Sequence, residues 1–380
     1  MNRTFTRIRS HVSPRHGLLL LLLLYVVLTQ QIPSWGQWYA QHLYPGIAYV
    51  LSAFSALFPL AIGDVFIALS IAWVLLYPVY AVVRRKQQLL RALRKVGEYL
   101  LWVYAWFYLA WGLNYSQPGF YARTGIEPAE YSKEVFLDFA DRYIDSLNAS
   151  FTPHPLTDKR LIRDAAVEGY NHIAPELAVH QPFHPQPRVK TMVFTPLISA
   201  VGVTGSMGPF FCEFTVNGDL LPNQYPATYT HELAHLLGIT SEAEANFYAY
   251  QVCSRSRWQA MRFSGYLSLL PHVLSNARPL LTQEEFEALA GRIRPEVVEV
   301  YEQNRLYWTE KYSPLIGSIQ DWMYDLYLKG NKIESGRQNY SQVVGLLISY
   351  EMGRRTNTKL SFPHPPLLSP PFPQEVTPVP

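Results

Sequence analysis

The sequence predicts an α-helical membrane anchor followed by a mainly helical, α+β soluble domain with a small sheet ahead of its central helix. Three observations predict it. The long uncharged apolar runs of this 380-residue chain all fall before Ser116, with basic residues clustered beside them. Beyond Ser116 no such run approaches the length of a span, and apolar residues recur at three-and-four spacing among charges. Between Val189 and Val216 that helical spacing gives way to short β-branched and aromatic segments separated by glycines. With 49% hydrophobic side chains the chain has enough apolar material for an anchor and one globular domain.

The anchor is read over residues 1–115. Leu18 to Leu28 is an almost unbroken aliphatic run preceded by Arg3, Arg7, Arg9 and Arg15, with no acidic residue among them. Thr29-Gln30-Gln31-Ile32-Pro33 offers no small-x-small cleavage site, so a retained span over about residues 12–31 is expected. A second span, 65–83, runs into Arg84-Arg85-Lys86, with Arg91, Arg94 and Lys95 close behind, a cluster that should face the cytoplasm. Residues 99–115 are uncharged and rich in tryptophan and tyrosine, as expected of a third span. The apolar segment 47–62, bracketed by Pro45 and Pro59, is expected at the interface, because a fourth crossing would carry the Arg84 cluster outward. A multi-pass protein of the cytoplasmic membrane results, with residues 116–362 outside it.

Within that outer domain, Glu134 to Leu147 and Lys159 to Ile173 predict helices with one buried stripe. Val189 to Thr195 and Phe210 to Val216 predict strands, with a loop marked by Gly202, Gly205 and Gly208 between them. Phe210 to Val216 reads either as an edge strand along which an extended peptide could lie or as an ordinary core strand. After Pro226 the pattern is helical almost to Gly353, and residues 363–380 are too proline-rich to pack. A formal net charge of +3, gathered near the apolar runs, excludes a basic face for nucleic acid. Cys212 and Cys253 lack CxxC spacing and cannot form a structural zinc site; pairing with each other and remaining as buried free thiols are both open.

Tyr229-Thr230-His231-Glu232-Leu233-Ala234-His235-Leu236-Leu237-Gly238 contains H-E-x-x-H in a helical stretch. Residues four apart stand one turn above each other, so His231 and His235 can present their imidazoles to a single point, with Glu232 turned about a quarter of a revolution away. Among eleven histidines a chance match is on the order of one in a hundred. Zinc takes a third protein ligand and leaves a position for water, whose pKa it lowers toward neutrality. Gly238 can close this helix, and Ser241-Glu242-Ala243-Glu244 reads as a capping box opening the next, which would occupy Glu244 and leave Glu242 as the preferred third ligand. Asn246, one turn beyond Glu242, could steady a ligand histidine.

His231-Glu232-Leu233-Ala234-His235 followed by Glu242-Ala243-Glu244-Ala245-Asn246 resembles the gluzincin clan of zinc peptidases. The wider layout resembles a narrower bacterial family, domain of unknown function 3810: three N-terminal spans, Pro59 to Asp64 as P-L-A-I-G-D, Trp111 to Tyr115 as W-G-L-N-Y, Pro209 to Asn217 ahead of H-E-L-A-H, and Gly336 to Tyr340. The resemblance implies a zincin-like outer domain with Zn2+ on His231, His235 and Glu242, and Glu232 as the base that activates the zinc-bound water. The expected function is therefore a membrane-anchored zinc metalloendopeptidase, whose partners are the lipid bilayer and a peptide or protein substrate. A zinc-binding sensor or scaffold without turnover is the alternative, and retention of Glu232, which base chemistry needs and metal binding does not, speaks against it. An intramembrane protease is disfavoured by the polar surroundings Asn223-Gln224 and Ser241 to Asn246. For a developing oxyanion, Arg337, Tyr340 and His272 are candidates without an assigned role.

Overall fold

The structure, a computed structural model, describes residues 13–318 and 342–356. Arg3, Arg7, Arg9, Arg337, Tyr340 and the proline-rich tail lie outside them. Among the described residues the chain is mainly helical, with one small three-stranded mixed sheet.

Helix α1 (Pro14–Gln31) stops at Ile32 because Pro33 supplies no amide hydrogen to continue it. Helix α2 (Pro33–Trp38), a π turn (Tyr39–Leu43) and α3 (Tyr44–Ser55) follow, bent by 106° from α1. Helices α4 (Ile62–Val83) and α5 (Leu89–Ala110) then form a hairpin, tied by Ser70 and Tyr99 hydroxyls 2.6 Å apart. Of the described helices only α4 is by itself long and apolar enough to cross a membrane, and almost none of it is buried. The bent α1–α3 run counts as a second such segment only if taken as one broken span.

The expected third span comes out differently. Helix α5 starts at Leu89, so its first turns carry Arg91, Arg94, Lys95 and Glu98, and it ends at Ala110. Its uncharged part, residues 99–110, is about 18 Å long, short of a hydrocarbon core of about 30 Å. Trp111 to Tyr115 leave the helix, and the short 3-10 helix Gly112–Ser116 has Gly112, Leu113 and Asn114 buried. That turn shares a core with the helices that follow: α6 (Phe120–Thr124), α7 (Lys133–Ser150) and α8 (Lys159–Leu177). Ser132 caps α7 by accepting from the Val135 amide, and Asp158 caps α8 by accepting from Arg160 and Leu161, so both predicted helices start where a side-chain oxygen meets unpaired amides.

The sheet consists of β1 (Lys190–Thr191), β2 (Gly205–Gly208) and β3 (Glu213–Val216), in the order β1-β3-β2, with α9 (Thr195–Ser199) between the first two strands. Strand β3 runs parallel to β1 and antiparallel to β2. The glycine segment read as a loop supplies a strand, and of the strand expected over Val189 to Thr195 only Lys190–Thr191 forms, with α9 beginning at Thr195. Of the two readings of Phe210 to Val216 the core strand holds, since its last four residues are the central strand, leaving β2 at the sheet's edge. Glycine suits β2 because its neighbours crowd it: a Cβ on Gly205 would lie 2.3 Å from the Glu232 carboxylate. Helices α10 (Tyr225–Leu236), α11 (Glu242–Ser254), α12 (Gln259–Leu280), α13 (Gln283–Gly291), α14 (Pro295–Lys311) and α15 (Val343–Thr356) complete the fold. Cys212 and Cys253 are free and buried rather than paired with each other, and burial pushes both thiols up to about 12.

One buried ion pair joins α4 to the sheet. Lys190 and Glu213 are each 2% exposed in their side chains. The ammonium also donates to the Ser55 and Leu60 carbonyls at 2.7 and 2.9 Å, while Glu213 accepts from the Gly63 amide at 2.9 Å. A carboxylate thus sits on the amide end of α4, and the cation beside it satisfies the Ser55 carbonyl at the end of α3 and the Leu60 carbonyl in the connection to α4. Asp64 reinforces the joint by accepting from the Val193 amide at 2.8 Å. Lys190→Met, which strands the Glu213 carboxylate, should lower unfolding stability by about 3–5 kcal/mol, and Lys190→Met/Glu213→Leu should recover part of the loss. Thermal unfolding of the detergent-solubilised chain reads both; a single variant as stable as wild type would show that the pair does not hold this joint.

Candidate metal centre

Helix α10 is buried on nearly every side, including Thr230, Glu232 and His235 among its apolar residues. Proline at its start suits the first turn, where amides have no helical acceptor. Its other end is closed as expected by Gly238 at φ +92°, with the Ile239 amide donating back to Ala234 at 3.1 Å. The carbonyls left over at that end are taken by side chains from far upstream. Tyr44 donates to Leu236 at 2.7 Å, Trp111 to His235 at 3.0 Å, and Gln117 to Gly238 at 2.6 Å. Segments next to the apolar helices therefore fix the pitch and depth of the H-E-x-x-H helix.

Four residues later the chain re-enters a helix. Ser241 accepts from the Glu244 amide at 3.4 Å, the first half of the expected capping box. The second half is not formed, because the Glu244 side chain pairs with Arg123 on α6. This pair is nearly buried, and although burial alone would pull the guanidinium down, the Glu244 carboxylate raises its pKa. Arg123 also donates to the Pro118 carbonyl at 2.7 Å. Glu244 is thereby held by Arg123, and Glu242 points the other way, toward the two histidines.

His231, His235 and Glu242 form a group that could hold a metal ion. His231 Nε2 lies 3.1 Å from His235 Nε2 and 3.1 Å from Glu242 Oε2, and His235 Nε2 lies 3.5 Å from the same oxygen. Three atoms bound to a tetrahedral zinc at about 2.1 Å are about 3.4 Å apart, so the triangle has the right size. Each imidazole is oriented from behind: Nδ1 of His231 is 2.9 Å from Asn246 Oδ1, and Nδ1 of His235 is 2.7 Å from the Ile239 carbonyl. With the Nδ1 protons donated to those oxygens, neutral imidazoles turn lone pairs at Nε2 toward one another and toward a carboxylate. Three such atoms form a place where a cation could sit. Without a metal a shared proton serves the same contacts: burial pulls His235 down, but Glu242 and Glu232 outweigh it and carry the imidazole to about 9. Burial would raise Glu242, yet the histidines hold it well below the usual carboxylate range.

Glu232 is 4% exposed, and its Oε2 is buried without a hydrogen-bond partner among the described residues. Burial pushes its carboxyl up to about 7, against the pull of His231 and His235. That range lets a carboxylate take and return a proton near neutral pH. Gly205 of β2 is the residue that local pattern reading missed; only the spatial neighbour explains it. His272 on α12 is held down at about 4, by burial first and then by His231 nearby, so it stays a neutral imidazole.

Residues 39–348 match the family model described as a protein of unknown function, DUF3810. The chain belongs to the DUF3810 family. No curated protein and no solved structure matches it. The motifs that carried this resemblance in the sequence serve the joints just described: Gly63 and Asp64 the α4 clamp, Trp111 and Asn114 the floor under α10, and Glu213 the buried ion pair.

The expected metal content is about one zinc per chain. His231→Ala, His235→Ala and Glu242→Ala should each abolish tight binding, whereas Glu244→Ala should keep the metal and lose about 3–5 kcal/mol of stability through the stranded Arg123. Elemental analysis and thermal unfolding of the same four variants measure both; loss of zinc in Glu244→Ala alone would move the ligand assignment.

Proposed function

We propose that this chain is a zinc-dependent metalloendopeptidase of the zincin type, anchored in a bacterial cytoplasmic membrane with its site on the outer face. The observation that carries this reading is the meeting of three metal-ligating atoms with the buried carboxyl of Glu232, whose Oε2 has no hydrogen-bond partner among the described residues. A bound zinc would supply Lewis acidity, polarising a carbonyl oxygen and making a water acidic. His231, His235 and Glu242 would hold it. Glu232, buried one residue after His231, is placed to take the proton of the attacking water and return it to the departing amine. Strand β2 supports a peptide substrate, since it is an edge strand and touches Glu232 at Gly205, so an extended chain added along it would pass the base.

The membrane part of the proposal is supported by the bare apolar surface of α4 and by charge. Arg84-Arg85-Lys86 occupies the turn of the α4–α5 hairpin, while the metal-ligand cluster lies toward the other end, where Ala110 leads through Trp111 to His235. With the basic turn in the cytoplasm the site faces outward. Neither a nucleic acid nor a second cofactor enters this reading.

Glu232→Gln keeps size and shape but cannot accept the proton. At matched zinc occupancy it should lower cleavage of denatured proteins and extended peptides by on the order of a hundredfold to ten-thousandfold. Gly205→Ala, which forces Glu232 aside, should retain zinc and lose cleavage too. Equal rates for wild type and Glu232→Gln would assign the activity elsewhere, and no cleavage by either across a broad panel would leave the sensor reading. Added protease should digest residues beyond Tyr115 in intact spheroplasts; protection until the membrane is broken would reverse the topology.

A further inference from the structure

The tip of the β2–β3 hairpin is held by the apolar helices. Phe210 and Phe211 form it, and the Trp106 indole of α5 donates to the Phe210 carbonyl at 2.9 Å. The Phe210 and Phe211 rings lie 4.8 and 5.8 Å from that of Phe66 on α4. Phe66 and Trp106 each stand four residues, about 6 Å, inside the end of the α4–α5 hairpin opposite its basic turn. Helix α4, at 22 residues, is about 33 Å long, so with Arg84 at one face of a hydrocarbon core of about 30 Å its Ile62 end reaches the other. Exposed apolar side chains flank that end: Leu57 and Leu60 precede α4, and Val193, whose amide donates to Asp64, is followed by Phe194 and Leu197. Two tethers bring the metal-ligand cluster to the same place. From Phe210 back to Gly205, which abuts the Glu232 carboxyl, is five residues, no more than about 18 Å of extended chain. Trp111, the residue after the end of α5, donates to the His235 carbonyl at 3.0 Å.

Given the membrane-anchored peptidase reading, on which this rests, we propose that the substrate is a polypeptide anchored in the same bilayer and cut within the segment next to its anchor. With α4 spanning, the hairpin tip lies at the bilayer surface, and β2 leads from it to Glu232. A chain paired along this edge strand leaves the lipid near Phe210 and meets the base about five residues later. A soluble chain must first be brought to that surface, whereas an anchored one is already concentrated there.

The test uses the zinc-loaded full chain in vesicles of phosphatidylethanolamine and phosphatidylglycerol. A peptide library is presented free, or anchored to phospholipid at either end through spacers of about 5 or about 25 glycine and serine residues. Short-spacer peptides should be cleaved about tenfold or more faster than the same sequences free at equal concentration, and at least as fast as the long-spacer ones. A site held high above the bilayer would reverse the order of the two spacers, because the short one reaches only about 18 Å. A second measurement needs no turnover. Cys212 and Cys253 are buried, so a fluorophore on Ser206→Cys, an exposed position of β2, reports the height of the strand by energy transfer to headgroup-labelled lipid. It should lie within about 25 Å of the headgroups, and a greater height overturns the inference. Cleavage of free and long-spacer peptides with the short-spacer ones untouched, or equal rates for free and anchored peptides, also overturns it and leaves the peptidase standing. No cleavage of any peptide sinks both.

Discussion

Two imidazole nitrogens and a carboxylate oxygen meet within 3.5 Å of one another. In a buried setting three such atoms repel unless a positive charge stands between them, and the surroundings are arranged to keep them there. Asn246 and the Ile239 carbonyl hold the histidine rings by their far nitrogens, and Ser241 starts the helix that brings Glu242 across. Arg123 neutralises the neighbouring carboxylate, Glu244, so that only one acid is offered to the cluster. Remove the requirement for a cation and most of these contacts have no common purpose.

The same constraint explains why the N-terminal helices and the rest of the chain form one packed unit. Helix α10 ends in carbonyls that need donors, and Tyr44, Trp111 and Gln117 provide them from segments beside α3 and α5. Strand β3 carries Glu213 to the amide end of α4, while its antiparallel neighbour β2 lies against Glu232. The sheet therefore connects the apolar helix with the carboxyl proposed as base.

What could be read from the sequence follows the range of the interaction. The histidine pair was legible because helix periodicity alone brings residues four apart together, and helices α7 and α8 were legible from a buried stripe. The preference for Glu242 came from capping chemistry, and the cap did form at Ser241. The reason Glu244 turns away was not local: Arg123 lies 121 residues upstream. The end of the third expected span was misjudged because Trp111 to Tyr115 are apolar for a core under α10, and composition does not distinguish that core from lipid. Gly205 to Gly208 read as a loop because glycine disfavours strands, and only close neighbours in space, the Glu232 side chain at Gly205 and the Glu213 carbonyl at Gly208, account for glycine there.

X-ray absorption at the zinc edge of the purified, zinc-loaded chain tests the central claim most directly. The account predicts a first shell of nitrogen and oxygen only, at about 2.0–2.1 Å, with outer-shell scattering from two imidazoles. A sulfur shell at about 2.3 Å would assign the metal to Cys212 or Cys253, and a spectrum without imidazole scattering would contradict the site outright.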